Sequence, residues 1–218
     1  MDKGYTFIKR FSDLAVSITG FMLVSPIIII SATLIWLEDR TANPFIMQER
    51  IGIGDKSFHL IKLRTMRTVR FQNGRKLTDA ERLLKTGKLF RKFSIDELPQ
   101  LVNVLRGDMS LIGPRPMPVA YLPYFRPEER VRHKVRPGMS GLAQVKGRNF
   151  LTWDEKFAYD IQYIEKFGPW LDVQIFFRTI MRLLLPSGVG TRGEDLPTAS
   201  LHEVREPWDS ICKTARVE

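Results

Sequence analysis

Two adjacent carboxylates, Asp96 and Glu97, lie in a stretch otherwise supplied with cations. Arg91 and Lys92 precede them, Arg106 and Asp108 follow, and the rigid run Gly113-Pro114-Arg115-Pro116 comes next. Pro99 cannot sit deep in a helix, so the helix carrying residues 98–105 is predicted to begin near Asp96. At such a start Asp96 would be an N-cap and Glu97 a first-turn acid favoured by the helix dipole. The same pair also suits chemistry. A helix N-terminus attracts anions, paired carboxylates hold a Mg²⁺ that carries phosphate oxygens, and one carboxylate can attack phosphorus. An arginine fixed between two prolines loses little backbone entropy on gripping a phosphate, which gives Arg115 a part in that reading. On these residues alone, helix cap and phosphoryl-transfer site both stay open.

The elements that must position these groups begin with a membrane segment. Residues 14–37 carry no charge, in a chain that is otherwise polar and basic. As a helix they would reach about 36 Å, enough for a hydrocarbon core of about 30 Å. The pair Ser25-Pro26 sits at their midpoint; the proline removes the bond to the Met22 carbonyl, and the serine hydroxyl could partly replace it. Both flanks are basic: Lys3, Lys9 and Arg10 before, Arg40, Arg50 and Lys56 after. Basic flanks favour the cytoplasmic side, so a plain span and a helix that enters, kinks and leaves on one face are both consistent. A cleaved signal peptide is disfavoured by the length of the run and the lack of a small-residue cleavage site.

Beyond this segment, residues 45–51 and 57–64 read as strands joined by a turn at Gly52, Gly54 and Asp55, a better reading of that G-x-G than a phosphate loop. Alternation puts Lys62 and Arg64 on one face of the second strand. Residues 68–77 read as a loop, Thr78 to Glu81 as a capping box opening a basic helix to about Lys92, and 127–134 as a helix. Residues 136–149, with three glycines, read as a loop with a short strand. Residues 153–167 form an amphipathic helix, and 169–185 another that packs in the core or lies in lipid headgroups. The tail from Ser187 is polar and expected to be loosely ordered. The fold class is therefore α/β, mostly helical: a membrane helix over 1–40, one small catalytic domain with a β-hairpin over 41–186, and a C-terminal tail over 187–218.

The net charge of +10 points to anionic partners, and anionic phospholipid accounts for part of it. Cys212 is the only cysteine, which excludes internal disulfides and a cysteine zinc site. His59, His133 and His202 are too scattered in sequence to suggest a metal cluster, leaving oxygen-liganded Mg²⁺ as the metal to expect. Charge alone would also suit a membrane-tethered nucleic-acid binder, but no helix-turn-helix or aromatic RNA motif is present, so no nucleic-acid partner is expected.

Taken together, Ser25-Pro26, residues 62–66 (KLRTM), 93–116 (FSIDELPQLVNVLRGDMSLIGPRP), 136–149 (RPGMSGLAQVKGRN) and 170–175 (WLDVQI) resemble, in order, the bacterial sugar transferases, the monotopic polyprenyl-phosphate phosphoglycosyl transferases. The chain looks most like the small members that transfer diacetylbacillosamine phosphate. The resemblance implies a re-entrant helix broken at Ser25-Pro26, with both ends on the cytoplasmic face of the bacterial inner membrane. It implies an Asp96-Glu97 dyad with Asp96 as nucleophile, Mg²⁺ as cofactor, and functional positions at Lys62, Arg115 and Asp172. The implied substrates are a UDP-sugar and polyprenyl (undecaprenyl) phosphate, exchanged through an aspartyl-phosphosugar. Arg136 and Arg148 are added as candidate phosphate contacts, each equally suited to a structural role. Lys146 departs from the family's usual asparagine. A metal-dependent hydrolase of sugar nucleotides and a membrane scaffold with the dyad as a cap are the rival readings.

Overall fold

The first helix is polar towards the protein and apolar towards the outside. In the computed structural model, which describes residues 3–72, 74–147, 150–184 and 200–208, helix α1 runs from Lys3 to Glu38. Asp13, Ser17, Ile28, Ser31 and Ile35 are buried against the rest of the chain, whereas Phe7, Phe11, Met22, Leu23, Ile29 and Ile30 are exposed. A helix in water turns its apolar stripe inward; this one has the pattern of a helix bathed in lipid, with polar groups facing protein. It is long and apolar enough to cross a membrane. The helix continues through Pro26, whose imide leaves the Met22 carbonyl without its donor; the Ser25 hydroxyl donates to that carbonyl at 3.1 Å. Thr19 and Thr33 satisfy their hydroxyls in the same way, on Ala15 and Ile29.

The hairpin follows as expected. β1 (Phe45–Ile51) pairs antiparallel with β2 (Ser57–Leu63) from Phe45 opposite Leu63 to Ile51 opposite Ser57. Gly54 and Asp55 turn the corner, both with φ of 63°. β2 ends at Leu63, so Lys62 and Arg64 part company: Arg64 is buried, donating to Asp39 and to the carbonyls of Ala42 and Asn43. A two-residue ladder, β3 (Phe71–Gln72) with β4 (Arg75–Lys76), replaces the expected loop.

The single basic helix expected over 78–92 is two. The capping box of Thr78 with Glu81 does form and opens α2 (Asp79–Arg82), but α3 is Lys85–Lys92. Between them the chain pairs with the segment after β2: Leu84 N–H donates to Thr65 O at 3.0 Å and Arg67 N–H to Arg82 O at 2.7 Å. This break buries Leu84 beside Ile35, Leu63 and Phe90, apolar burial that a continuous solvated helix would forfeit.

α4 (Gln100–Arg106) leads to β5 (Ser110–Ile112). The stretch expected as a helix over 127–134 is a 3-10 helix, Glu129–Lys134. The glycine-rich segment holds both the anticipated strand, β6 (Gly138–Ser140), and an unanticipated helix, α5 (Leu142–Lys146). α6 (Trp153–Glu165) and α7 (Pro169–Leu184) complete the domain. On α7, Trp170, Val173, Phe177 and Met181 form an exposed apolar stripe, while Asp172 and Ile175 face inward. The tail is corrected in part: α8 (Leu201–Val204) docks on the domain and buries Leu201 completely.

Both ends of α1 are wired into the domain as caps. Arg10 donates to Val104 O (2.6 Å) and Leu105 O (3.1 Å), carbonyls in the last turn of α4. Glu38 accepts from the backbone N–H groups of Lys85 (2.7 Å) and Thr86 (3.0 Å), the first turn of α3, whose own N-cap position, Leu84, has no capping side chain. Charge of the right sign thus sits at each helix end.

β5 and β6 run parallel, Ser110 opposite Gly138 and Ile112 opposite Ser140, and the Gly138 and Gly113 backbones touch too closely for a side chain on either. A Cβ on Gly138 would lie 2.1 Å from the Gly113 nitrogen. Gly138→Ala should therefore cost about 2 kcal/mol or more of stability by overpacking. Gly168→Ala, where the nearest atom would be 3.7 Å away, should stay within about 0.5 kcal/mol. Denaturant titration of the detergent-purified protein checks both.

Candidate active site

The backbone at the dyad is not the helix start expected. Ser94 adopts a left-handed conformation (φ 57°), a 3-10 turn carries Ile95–Glu97, and α4 begins only after Pro99. Neither cap position makes a side-chain cap bond, and Asp96 caps nothing there. The turn instead delivers both carboxylates to a cavity of about 480 Å³.

Glu97 is clamped. Lys62, from β2, donates to its Oε1 at 2.9 Å, and Arg115, from the loop after β5, donates to the same oxygen at 2.6 Å and to Oε2 at 3.4 Å. Burial by itself would raise the Glu97 pKa, but Arg115 and Lys62 overcome it and hold the carboxyl well below the ordinary carboxylate range. Burial lowers the Lys62 pKa, with Arg115 acting the same way against Glu97. Asp96 lies outside this clamp. Burial pushes its carboxyl up, the Glu97 charge pushes it further, and Lys62 and Arg91 offset part of the rise. Two neighbouring carboxylates thus titrate apart, the pattern expected where one is to react and the other to support.

Of the other candidate site residues, Arg136 and Asp172 do not join the cavity lining. Arg136 donates from Nε to Gly107 O at 2.8 Å, next to Arg10. Asp172 accepts from Tyr5 (2.6 Å), Lys9 (2.5 Å) and Tyr163 (2.7 Å), tying the start of α1 to α6 and α7. Arg148 lies outside the described residues. Ser25 and Pro26 sit in α1 and do not line the cavity. The lining contains groups that sequence reasoning had left unassigned: Arg91, which donates to Thr65 Oγ1 at 3.0 Å, and Tyr121, Trp153, Lys156 and Asp160. Trp153 and Lys156 did carry a signal, since residues three apart on one helix share a face; the lysine ammonium lies 4.7 Å from the indole centre.

Arg115 is itself held from behind. Arg132 donates to Arg115 O at 2.7 Å and to Asp160 at 2.7–2.9 Å, with its guanidinium against Phe125 and Phe157. As for a metal, an oxygen donor set suits Mg²⁺: Asp96, and Glu97 through Oε2, whose one contact is the long one to Arg115.

A polarised carboxylate pair among cations lines a cavity in a chain whose first helix is long and apolar enough to cross a membrane. The chain belongs to the bacterial sugar transferases, whose family model matches residues 4–186. The uncharacterized sugar transferase EpsL of Bacillus subtilis (strain 168) is 43% identical over 183 residues, which is 84% of this chain and 90% of that protein. The UDP-N-acetylgalactosamine-undecaprenyl-phosphate N-acetylgalactosaminephosphotransferase of Aeromonas hydrophila is 41% identical over 196 residues, 86% of this chain but 46% of that protein. The UDP-glucose:undecaprenyl-phosphate glucose-1-phosphate transferase of Caulobacter vibrioides is 39% identical over 188 residues, 81% of this chain and 69% of that protein.

The Arg132–Asp160 pair is almost wholly buried, with side chains 1% and 3% exposed. Asp160→Asn would strand a buried guanidinium and should cost about 3 kcal/mol. Asp79→Asn, which breaks a pair with an 83% exposed acid, should change stability by less than about 0.5 kcal/mol. The shift in denaturant midpoint distinguishes the two.

Proposed function

We propose that this enzyme transfers a phosphosugar from a UDP-sugar to membrane polyprenyl phosphate, through a covalent intermediate on Asp96. One observation carries the reading: Glu97 is neutralised by Lys62 and Arg115 while Asp96, in the same cavity, stays outside that clamp. The named functions of the Aeromonas and Caulobacter relatives, both undecaprenyl-phosphate phosphotransferases, supply the substrate class.

In the first step an Asp96 carboxylate oxygen attacks the β-phosphorus of the donor. The bond from that phosphorus to the bridging oxygen breaks, the bridging oxygen keeps the electron pair, and UMP departs. The phosphosugar remains on Asp96 as an acyl phosphate. In the second step a phosphate oxygen of the polyprenyl acceptor attacks the same phosphorus, the bond to Asp96 breaks, and the carboxylate is restored. No proton need be transferred in either step. Two steps keep the two anionic substrates from having to meet directly. Arg115 and Lys62 hold Glu97 and offer their remaining donors to phosphate oxygens; Arg91 supplies positive potential beside Asp96. Mg²⁺, held by Asp96 and Glu97, would neutralise charge on the diphosphate.

The membrane geometry that fits this reaction is re-entrant. Arg10 and Glu38, near opposite ends of α1, are both bonded to the same domain, which supports both ends lying on one side of the bilayer. Basic flanks favour the cytoplasmic side. The exposed stripe of α7 would lie among headgroups, so the cavity would meet a lipid phosphate at its own depth.

Radiolabelled UDP-sugar supplied without lipid acceptor should leave label on the wild-type protein, and Asp96→Asn should leave none; label persisting in the variant would move the nucleophile elsewhere. A panel of UDP-N-acetylhexosamines, UDP-diacetylbacillosamine and UDP-glucose identifies the sugar. UMP release that requires polyprenyl phosphate separates a transferase from a hydrolase, which would turn over with water.

Asp96 must be ionised to attack, so the rate should rise with pH through its raised pKa. Glu97→Gln removes the like charge that raises it and leaves Lys62 uncompensated. Both changes favour the Asp96 carboxylate, so the ascending limb of the pH–rate profile should move to lower pH even as kcat falls. A limb that stays or moves upward contradicts the assignment.

A further inference from the structure

Residues 200–208 lie beyond the segment matched by the family, residues 4–186, yet they are part of the packed domain. Ser200 opens α8 with a capping box to Glu203. Leu201, fully buried, enters a cluster of Ile51, Met117, Phe125 and Phe157. Arg205 grips both oxygens of Glu129 at 2.9 Å, bonds Asp154 at the start of α6, and lays its guanidinium 5.2 Å from the Phe157 ring. His202 stands 6.0 Å from Tyr121 and 6.4 Å from Tyr124, ring centre to ring centre.

These contacts converge on one wall of the reaction cavity. Met117 and Tyr121 line it and pack in the cluster that Leu201 completes, and Trp153, edge-on to Tyr121 at 5.6 Å, does the same. Met117 lies two residues after Arg115. Its carbonyl accepts from Ile51 N–H at 2.9 Å, beside a bridge between Arg50 and Pro118. Glu129 sits in the same 3-10 helix as Arg132, which holds the Arg115 carbonyl. The cavity is therefore walled on this side by side chains backed in part by Leu201, from outside the family-matched segment.

We propose that residues 200–208 act as a clasp that positions the Met117–Tyr121–Trp153 wall and thereby sets how tightly this enzyme holds its nucleotide-sugar donor, with no part in the chemistry at Asp96. The kinetic side of this rests on the transferase reading; the structural side does not. Releasing the clasp loosens a wall, so it weakens binding of the ground state and the transition state alike. It raises KM and leaves kcat alone.

The test uses full-length protein in lipid nanodiscs. Leu201→Asp puts a charge in the cluster and releases the segment; Arg205→Ala is a milder variant that leaves the cluster apolar. Hydrogen exchange over residues 117–125 should rise in both, more in Leu201→Asp. KM for the donor should rise roughly fivefold to tenfold in Leu201→Asp, the scale of a modest coupling between sites, with kcat within about twofold. Arg205→Lys, which keeps the charge but not the two-pronged grip, should fall between Arg205→Ala and wild type. Exchange that rises only in 200–208 while 117–125 stays protected overturns the proposal, as does a fall in kcat at constant KM. Should wild-type protein release UMP from no UDP-sugar, the transferase reading fails by itself, and the exchange measurement still decides whether the clasp holds the wall.

Discussion

The contact on which the site depends is Glu97 held between Lys62 and Arg115. Its three members come from three places: a strand of the hairpin, a 3-10 turn, and a proline-bounded loop. Each is fixed by something else. Lys62 stands where β1 sets the register of β2. The turn is aimed by the left-handed Ser94. Arg115 follows Gly113, whose contact with Gly138 leaves no room for a side chain, and its carbonyl is tied to the buried Arg132. A carboxylate partly withdrawn from water needs such partners to remain charged. With both cations bonded to Glu97, burial and then the Glu97 charge raise the Asp96 pKa, so the two acids differ in how far cations offset their burial.

The apolar first helix is a structural part of the domain and no mere tether. α3 and α4 are short, and short helices depend on how their end groups are satisfied. α1 satisfies both, with Glu38 at the start of α3 and Arg10 at the end of α4. Asp172 adds a third tie through Tyr5 and Lys9. Ile35 fills the cluster beneath the break between α2 and α3. The dyad lies between α3 and α4, so the two helices that flank it are both capped by a helix whose outer face is exposed and apolar.

Much of this was legible from residue types. The hairpin, its turn, the capping box, the amphipathic α6 and the apolar α1 all carry local signals, and the hydroxyl of Ser25 meets the carbonyl that Pro26 frees, as its position suggested. What failed failed for tertiary reasons. Residues 78–92 open with a capping box and carry several helix formers, but Leu84 is buried in a kinked connection beside Ile35, Leu63 and Phe90. Asp96 looks like a cap because caps are local, while the backbone that makes it something else depends on Ser94, a residue with no glycine-like mark. Lys62, Asp96, Glu97 and Arg115 lie together in one cavity, whereas Asp172 does not line it. Arg132 and Asp160 escaped notice because their pairing joins residues 28 apart in sequence, and no spacing rule reaches that far. The docking of 200–208 escaped because a polar segment with one leucine and one tryptophan has little periodicity to read.

The arrangement also bears on why an enzyme of this kind would separate its two acids. Asp96 and Glu97 are neighbours in sequence, and two equivalent carboxylates there would each oppose the ionisation of the other. Placing both cations on Glu97 keeps its charge at a cost that Arg115 and Lys62 meet together, and leaves Asp96 the less stabilised anion of the two. A less stabilised carboxylate is the better nucleophile, provided it is ionised at working pH, and Lys62 and Arg91 limit how far its pKa climbs. The same basicity would make Asp96 the poorer leaving group from the proposed acyl phosphate, so its departure would rely on Lys62 and Arg91, which limit that pKa. When the second attack breaks that bond, the carboxylate returns to a cavity already lined with positive charge, so the restored anion is received by the same cations that hold its neighbour.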